Sequence, residues 1–202
     1  MSSENVTVWI ELFSCEKAEG DVATLDSASD GILAQRAGGG DTAAFEVLVR
    51  RHGPFLRAFA VRLTGSSADA DDVVQDSLIT VWNRLETLDD PSKVRAWMTS
   101  IVSRRATDII RSRKPSDELE DEFAVDEGEN PDARAVASSR LEALSKVLER
   151  MPEGQRQCWV LKEMGGYSYE EIGEQLGMSV VTVRGKLARA RATVVKEMEA
   201  WR

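Results

Sequence analysis

Residues 180–195, VVTVRGKLARARATVV, hold Arg184, Lys186, Arg189 and Arg191 with no acidic residue among them. Wound at about 3.6 residues per turn, this stretch puts Val183, Leu187, Ala190, Val194 and then Met198 on one side. Val181, Arg184, Gly185, Ala188 and Arg189 fall on the other, with Lys186 and Arg191 on the flanks. A guanidinium fork suits bidentate donation to guanine, flanking bases suit phosphate, and a glycine in the middle of the face permits close approach. Such a helix needs a second one to hold it in a groove. The preceding YSYEEIGEQLGMS supplies it: Ser168 and Glu171 form a capping box, Ile172 and Leu176 face inward, Gly177 suits a turn with positive φ, and Ser179 caps the next helix. The pair reads as a helix-turn-helix, whose second helix can enter the DNA major groove.

A second constellation is acidic. In DADDVVQDSLITVWNRL, residues 69–85, the positions Ala70, Val73, Val74, Ser77, Leu78, Val81, Trp82 and Leu85 make an amphipathic stripe that extends to Leu88, led in by Ser66, Ser67 and Asp69 as capping residues. Asp69, Asp72, Asp76 and Asn83 line up on the opposite face, a row suited to a basic partner. Pro91-Ser92 opens a further helix with Val94, Trp97, Met98, Ile101, Val102, Ala106, Ile109 and Ile110 inward and Arg104, Asp108 and Arg111 in one outer row, ending at Pro115.

Catalytic chemistry finds no such support. Cys15, Cys158 and the single His52 cannot supply the four ligands of a structural zinc, and the two cysteines form no recognisable redox motif. No phosphate-cradling glycine loop or nucleophile-base arrangement occurs, and the carboxylate row lacks the second ligand set of a metal-dependent nuclease. We therefore expect no enzyme, no cofactor, no metal and no catalytic residue. His52 lies on an apolar stripe and reads as structural.

Around these constellations the 202 residues are 42% apolar and 30% charged, as in a globular protein. The net charge of -9 is unevenly spread: residues 1–31 carry seven acids against one base, and residues 116–132 carry nine acids and no base. Between Lys93 and Lys114 seven bases face Asp108 alone, and between Arg184 and Arg202 six face Glu197 and Glu199. Two basic helices separated by an acidic strap form an electrostatic footprint for nucleic acid. The segments predict an all-α protein: a flexible tail (1–31), a helical domain (32–114), an acidic flexible linker (115–132), and a second helical domain (133–202). In the first domain Phe45, Leu48, Val49, His52, Phe55, Leu56, Phe59 and Leu63 recur at helical spacing, with Gly53-Pro54 predicting a break or kink. In the second, Val136, Leu141, Leu144, Val147 and Leu148 form a stripe; Pro152 starts a helix that Gly165-Gly166 stops. The apolar run Val6 to Ile10 is too short to span a membrane and Glu4 replaces a basic leader region, so a cytoplasmic location without membrane insertion is expected.

Taken together, residues 32–200 resemble the extracytoplasmic-function (ECF) sigma factors of the sigma-70 family. GDTAAFEVLVRRHGPFLRAFAVRLTG is similar to region 2.1, DADDVVQDSLITVWNRL to region 2.2, VRAWMTSIVSRRATDIIRSRK to regions 2.3 and 2.4, and MPEGQRQCWVLKEMGGYSYEEIGEQLGMSVVTVRGKLARARATV to region 4. The resemblance implies a subunit that joins core RNA polymerase and directs initiation at promoter DNA. Its implied core-binding surface, meeting the beta-prime clamp helices, is Asp72, Gln75, Asp76 and Asn83. The implied -35 contacts are Arg184, Gly185, Lys186, Ala188 and Arg189, beside Val181 and Arg191 on the same helix. The implied -10 contacts fall on the loop from Glu86 to Lys93 and on Arg104, Asp108 and Arg111. The beta flap and an anti-sigma factor are further implied partners. The chain departs from the family at Ser103-Arg104, where Arg-Asn is frequent, at Gly185 in place of a common Ser, and at Gly173 in place of the usual helix-turn-helix Ala. A stand-alone helix-turn-helix regulator is the rival reading, but it leaves the pattern of residues 32–114 unused.

Overall fold

The computed structural model describes residues 25–112 and 135–199; most of the expected tail and the whole of the expected acidic linker lie outside the described residues. Within them the chain is helical throughout, with no strand.

Helix α1 (Asp30–Gly38) is capped by Ser29, whose side chain accepts from the Ile32 amide. It begins two residues before Ile32, and Leu25 is already buried, so residues 25–31 belong to the folded part and not to the tail expected there. The cause is contact across sequence. His52 Nε2 lies 2.9 Å from Asp30 Oδ2, Arg51 pairs with the same carboxylate, and Arg51 also donates to the carbonyls of Asp26 (3.2 Å) and Ala28 (3.1 Å). His52 is thus a buried structural histidine.

Helix α2 (Thr42–Thr64) opens on the Asp41 cap and continues through Pro54 as one helix, so of the break or kink that the sequence predicts the break does not occur. Proline in a helix interior forfeits a hydrogen bond and crowds the preceding turn, at about 3 kcal/mol. Phe45, Leu48 and His52 before it and Leu56, Phe59 and Leu63 after it all bury on the same core, which holds both halves in register. Helix α3 (Ser67–Arg84) starts at the Ser66 cap and buries Ala70, Val73, Ser77 and Val81. Two short 3₁₀ turns, Leu85–Thr87 and Pro91–Lys93, lead into α4 (Val94–Ser112), which buries Val94, Met98, Val102 and Ala106. The Phe45 and Trp82 rings meet at 5.0 Å and join α2 to α3.

The second domain holds α5 (Ala135–Glu149), α6 (Glu153–Trp159) continued by a π-helical turn (Val160–Met164), α7 (Tyr169–Leu176) and α8 (Val180–Glu197). Both halves of the capping box at Ser168 and Glu171 are formed. Gly177 ends α7 at φ 65°, a conformation that costs a side chain-bearing residue about 1 kcal/mol or more. Ser179 then caps α8 by accepting from the Thr182 amide. Gly173 answers a different need: a Cβ there would lie 2.8 Å from the Met178 carbonyl oxygen, so the helices cross with no room even for Ala.

The two domains pack on each other and share one core that runs from Leu33 and Phe59 to Ile172 and Leu187. Helix α2 touches α5, α6 and the π turn, and α4 touches α7. Polar links cross the boundary: Ser103 Oγ donates to Gln175 Oε1 at 2.7 Å, Arg111 to the Glu174 carbonyl at 2.6 Å, and Arg62 to Ser145 Oγ at 2.8 Å. Arg156 is buried against Gly65, the C-cap of α2. Burial lowers the pKa of Arg62 against the attraction of Glu149, and burial raises that of Glu149. Charged groups thus lie partly dehydrated at the edge of this shared core, where burial opposes their ionised forms.

Candidate nucleic-acid interface and acidic face

Helix α8 presents the outward row that its sequence predicts. Val183, Leu187 and Ala190 are buried, while Val181, Arg184, Ala188, Arg189 and Arg191 are exposed and Gly185 is partly so. A Cβ at Gly185 would meet only the tip of Arg189, at 3.8 Å, so the middle of the face is open to a partner. Lys186 is placed otherwise. It is half-buried and leans across Gly154 on α6, where a Cβ would come within 2.8 Å of its Nζ. It also faces buried Cys158, whose thiol pKa is raised by burial against the pull of the ammonium.

The cations on this face are organised by residues that the sequence pattern did not single out. Tyr169, the first residue of α7, has the Arg184 guanidinium carbon 5.3 Å and the Lys162 Nζ 5.0 Å from its ring centroid. Glu163 accepts from Arg191 Nε at 2.9 Å and from a terminal nitrogen at 2.7 Å, and this hydrogen bond pushes the guanidinium pKa further up. Arg184 is therefore steadied by the first residue of α7 and Arg191 by the π-helical turn, whereas Arg189 is presented outward. Sequence held one usable signal for this, an aromatic residue directly after a helix cap, and nothing to connect it with Arg184.

On α3 Asp72, Asp76 and Asn83 of the predicted row are exposed, as is Gln75, whereas Asp69 at the head of the row is only partly so. Asp76 is not free, since Arg105 of α4 pairs with it and donates from Nε at 3.1 Å. This pair borders a shallow depression lined by Ser77, Ile79, Thr80 and Ile101. Asp71, next to Asp72, is turned toward α2 and bonded to Arg57 at 2.7 Å. Spacing alone identified the row but could not foresee Arg105.

The third predicted group is divided by the structure. Lys93 is exposed and lies 3.2 Å from Asp90, whose carboxylate accepts from the Ser92 amide (3.1 Å) and hydroxyl (2.6 Å). The Ser92 bonds and Lys93 hold the Asp90 pKa below its usual value, and the turn before α4 is fixed accordingly. Arg104 and Asp108 are exposed on α4. Arg111, in the same predicted row, is engaged with the Glu174 carbonyl of α7.

A helix-turn-helix with a basic outer face, an acidic row on a separate helix and a basic helix beside a capped loop suit a protein that bridges DNA and a basic protein surface. Comparison with known proteins gives the same combination. The family described as Sigma-70 region 2 matches residues 48–115, and Sigma-70, region 4 matches residues 141–194. The RNA polymerase sigma factor NccH of Alcaligenes xylosoxydans xylosoxydans is 30% identical over 181 residues, covering 87% of this chain and 97% of that protein. The RNA polymerase sigma factor CnrH of Cupriavidus metallidurans is 32% identical over 183 residues, 85% of this chain and 95% of that one. Among solved structures, the sigma factor RpoE of Bartonella quintana, crystallised with the anti-sigma factor NepR, is 25% identical with a TM-score of 0.53. That match covers 78% of this chain and 98% of the other.

Proposed function

The chain belongs to the sigma-70 family of RNA polymerase sigma factors as an ECF member, and on that premise we propose how its surfaces divide the work of promoter-directed initiation. The exposed face of α8 reads the -35 element through Arg184 and Arg189, with Arg191 serving phosphate. Lys93, Arg104, Asp108 and the loop from Glu86 contact the -10 element. Asp72, Gln75, Asp76 and Asn83 receive the beta-prime clamp helices, and the second domain meets the beta flap. The role is non-catalytic and cytoplasmic: the protein supplies recognition and the polymerase supplies the chemistry. An anti-sigma protein joins the partners by likeness to the relative solved with one.

One observation carries this division. The α8 face is basic and outward while the α3 face is acidic and outward, so the two cannot serve the same partner. Carboxylates meeting a polyanion would cost affinity, and meeting a basic helix they gain it. Arg111 and Ser103 lie on α4 and are bonded to α7. Full use of α4 by DNA therefore requires the two domains to part, with the half-buried charges of Arg62 and Glu149 regaining water as they do.

Footprinting of the reconstituted holoenzyme tests the division. Protection is expected at two promoter elements together, that of the upstream element vanishing for Arg184→Ala with Arg189→Ala and that of the downstream element for Arg104→Ala. Loss of both footprints with either variant would contradict it.

A further inference from the structure

Val181 is 78% exposed, the most exposed large apolar side chain among the described residues. It stands in the first turn of α8, where a β-branched residue lowers helix propensity and covers nothing. Folding therefore does not explain it. Its neighbour Thr182 is occupied, the hydroxyl lying 2.8 Å from Ser179 Oγ at the cap. Val181 shares the outward face with Arg184, Gly185 and Ala188, so whatever DNA edge faces Arg184 also faces the valine methyls.

The major groove offers hydrogen-bond donors and acceptors on every base edge and a single apolar group, the 5-methyl of thymine. A valine pressed on cytosine N4 or guanine O6 would dehydrate a polar group without replacing its bond, whereas on a thymine methyl it removes two apolar surfaces from water. We propose that Val181 selects a thymine in the -35 element by packing on its methyl group. Three residues of helix rise by about 4.5 Å, so this thymine lies about one to two base-pair steps from the guanine bound by Arg184. The inference rests on α8 being the -35 reader and adds a base identity to it.

The test uses holoenzyme and its own promoter, mapped from transcript starts, with each thymine of the -35 element on either strand replaced singly by deoxyuridine. Wild type should lose about fourfold in promoter affinity at one position, the worth of one buried methyl group. Val181→Ala should lose a similar factor on the natural promoter and then be indifferent to deoxyuridine at that position. Wild type insensitive at every thymine, Val181→Ala as sensitive as wild type, or an element with no A·T pair near the guanine would each overturn the proposal. Arg184→Ala, measured in parallel, separates the two levels. If it abolishes -35 dependence while deoxyuridine has no effect, the reader is right and the role of Val181 is wrong; if it changes nothing, the reader is wrong and the thymine assignment falls with it.

Discussion

The Arg184 guanidinium carbon lies 5.3 Å from the centroid of the Tyr169 ring, joining the first residue of one helix of the helix-turn-helix to the outward face of the next. Lys162 approaches the same ring at 5.0 Å. The ring is attractive to cations and limits the rotamers open to Arg184 before DNA arrives, so less side-chain entropy is lost on binding.

Tyr169→Ala should weaken promoter binding by the holoenzyme by about two- to fivefold, the usual worth of an exposed cation–π contact. Tyr169→Phe keeps the ring and should bind nearly as wild type does. Equal losses for both variants, measured by titration with labelled promoter, would place the effect on the hydroxyl and not on the ring.

Arg184→Ala and Arg189→Ala should each cost about 1–3 kcal/mol of discrimination at the -35 element, because each removes a forked donor from an exposed face. Association with core polymerase should be unaltered, since both side chains are exposed. Promoter-specific transcription equal to wild type with both variants would show that the outward face of α8 is not the reading face.

Reversal of Asp72 and Asp76 to Lys should abolish association with core polymerase while leaving the helical circular dichroism intact, as both are exposed. Arg105 adds a second arm. It neutralises Asp76 in the free chain, so Arg105→Ala should leave the carboxylate unpaired and tighten association with core. Co-purification measures both, and weaker association for Arg105→Ala would mean that Arg105 itself contacts the polymerase.

Gly173→Ala, a gain of one methyl group, should destabilise the protein by about 1–3 kcal/mol, because the new Cβ would sit 2.8 Å from backbone oxygen that cannot swing away. Thermal unfolding followed by circular dichroism should shift down by about 2 °C or more. Gly185→Ala, inside α8 with open space around it, gains helix propensity and should raise the midpoint, and an unchanged or raised midpoint for Gly173→Ala would mean that Met178 yields.

What was legible in the sequence was local. The caps at Ser66, Ser168 and Ser179, the turn at Gly177 and the inward stripe Val183, Leu187 and Ala190 depend on residues within about two helical turns, and each was read from spacing. Contacts across the chain were not. Leu25 and Asp30 fall within the expected tail because Arg51 and His52, which hold that segment, lie more than twenty residues away. Of the break or kink expected at Pro54, the break is absent for the same reason, since burial of both halves of α2 is a tertiary effect. Lys186 has the spacing of a DNA contact, yet its stem lies along Gly154; a helical wheel does not show which neighbour lacks a side chain. The small residue at position 173 was recognised, but the need for glycine there is visible only once the Met178 carbonyl is in place.

As a sigma factor, this chain gives core RNA polymerase its promoter. Run-off transcription tests this role most directly, with purified protein, core polymerase and a template carrying the promoter mapped from transcript starts. A defined transcript is expected only when chain, core and promoter are all present, lost with the Asp72 and Asp76 reversal and sharply reduced with Arg184→Ala plus Arg189→Ala. Tight, specific binding of that promoter by the chain alone, with no stimulation of core, would contradict it and leave a stand-alone DNA-binding regulator in its place.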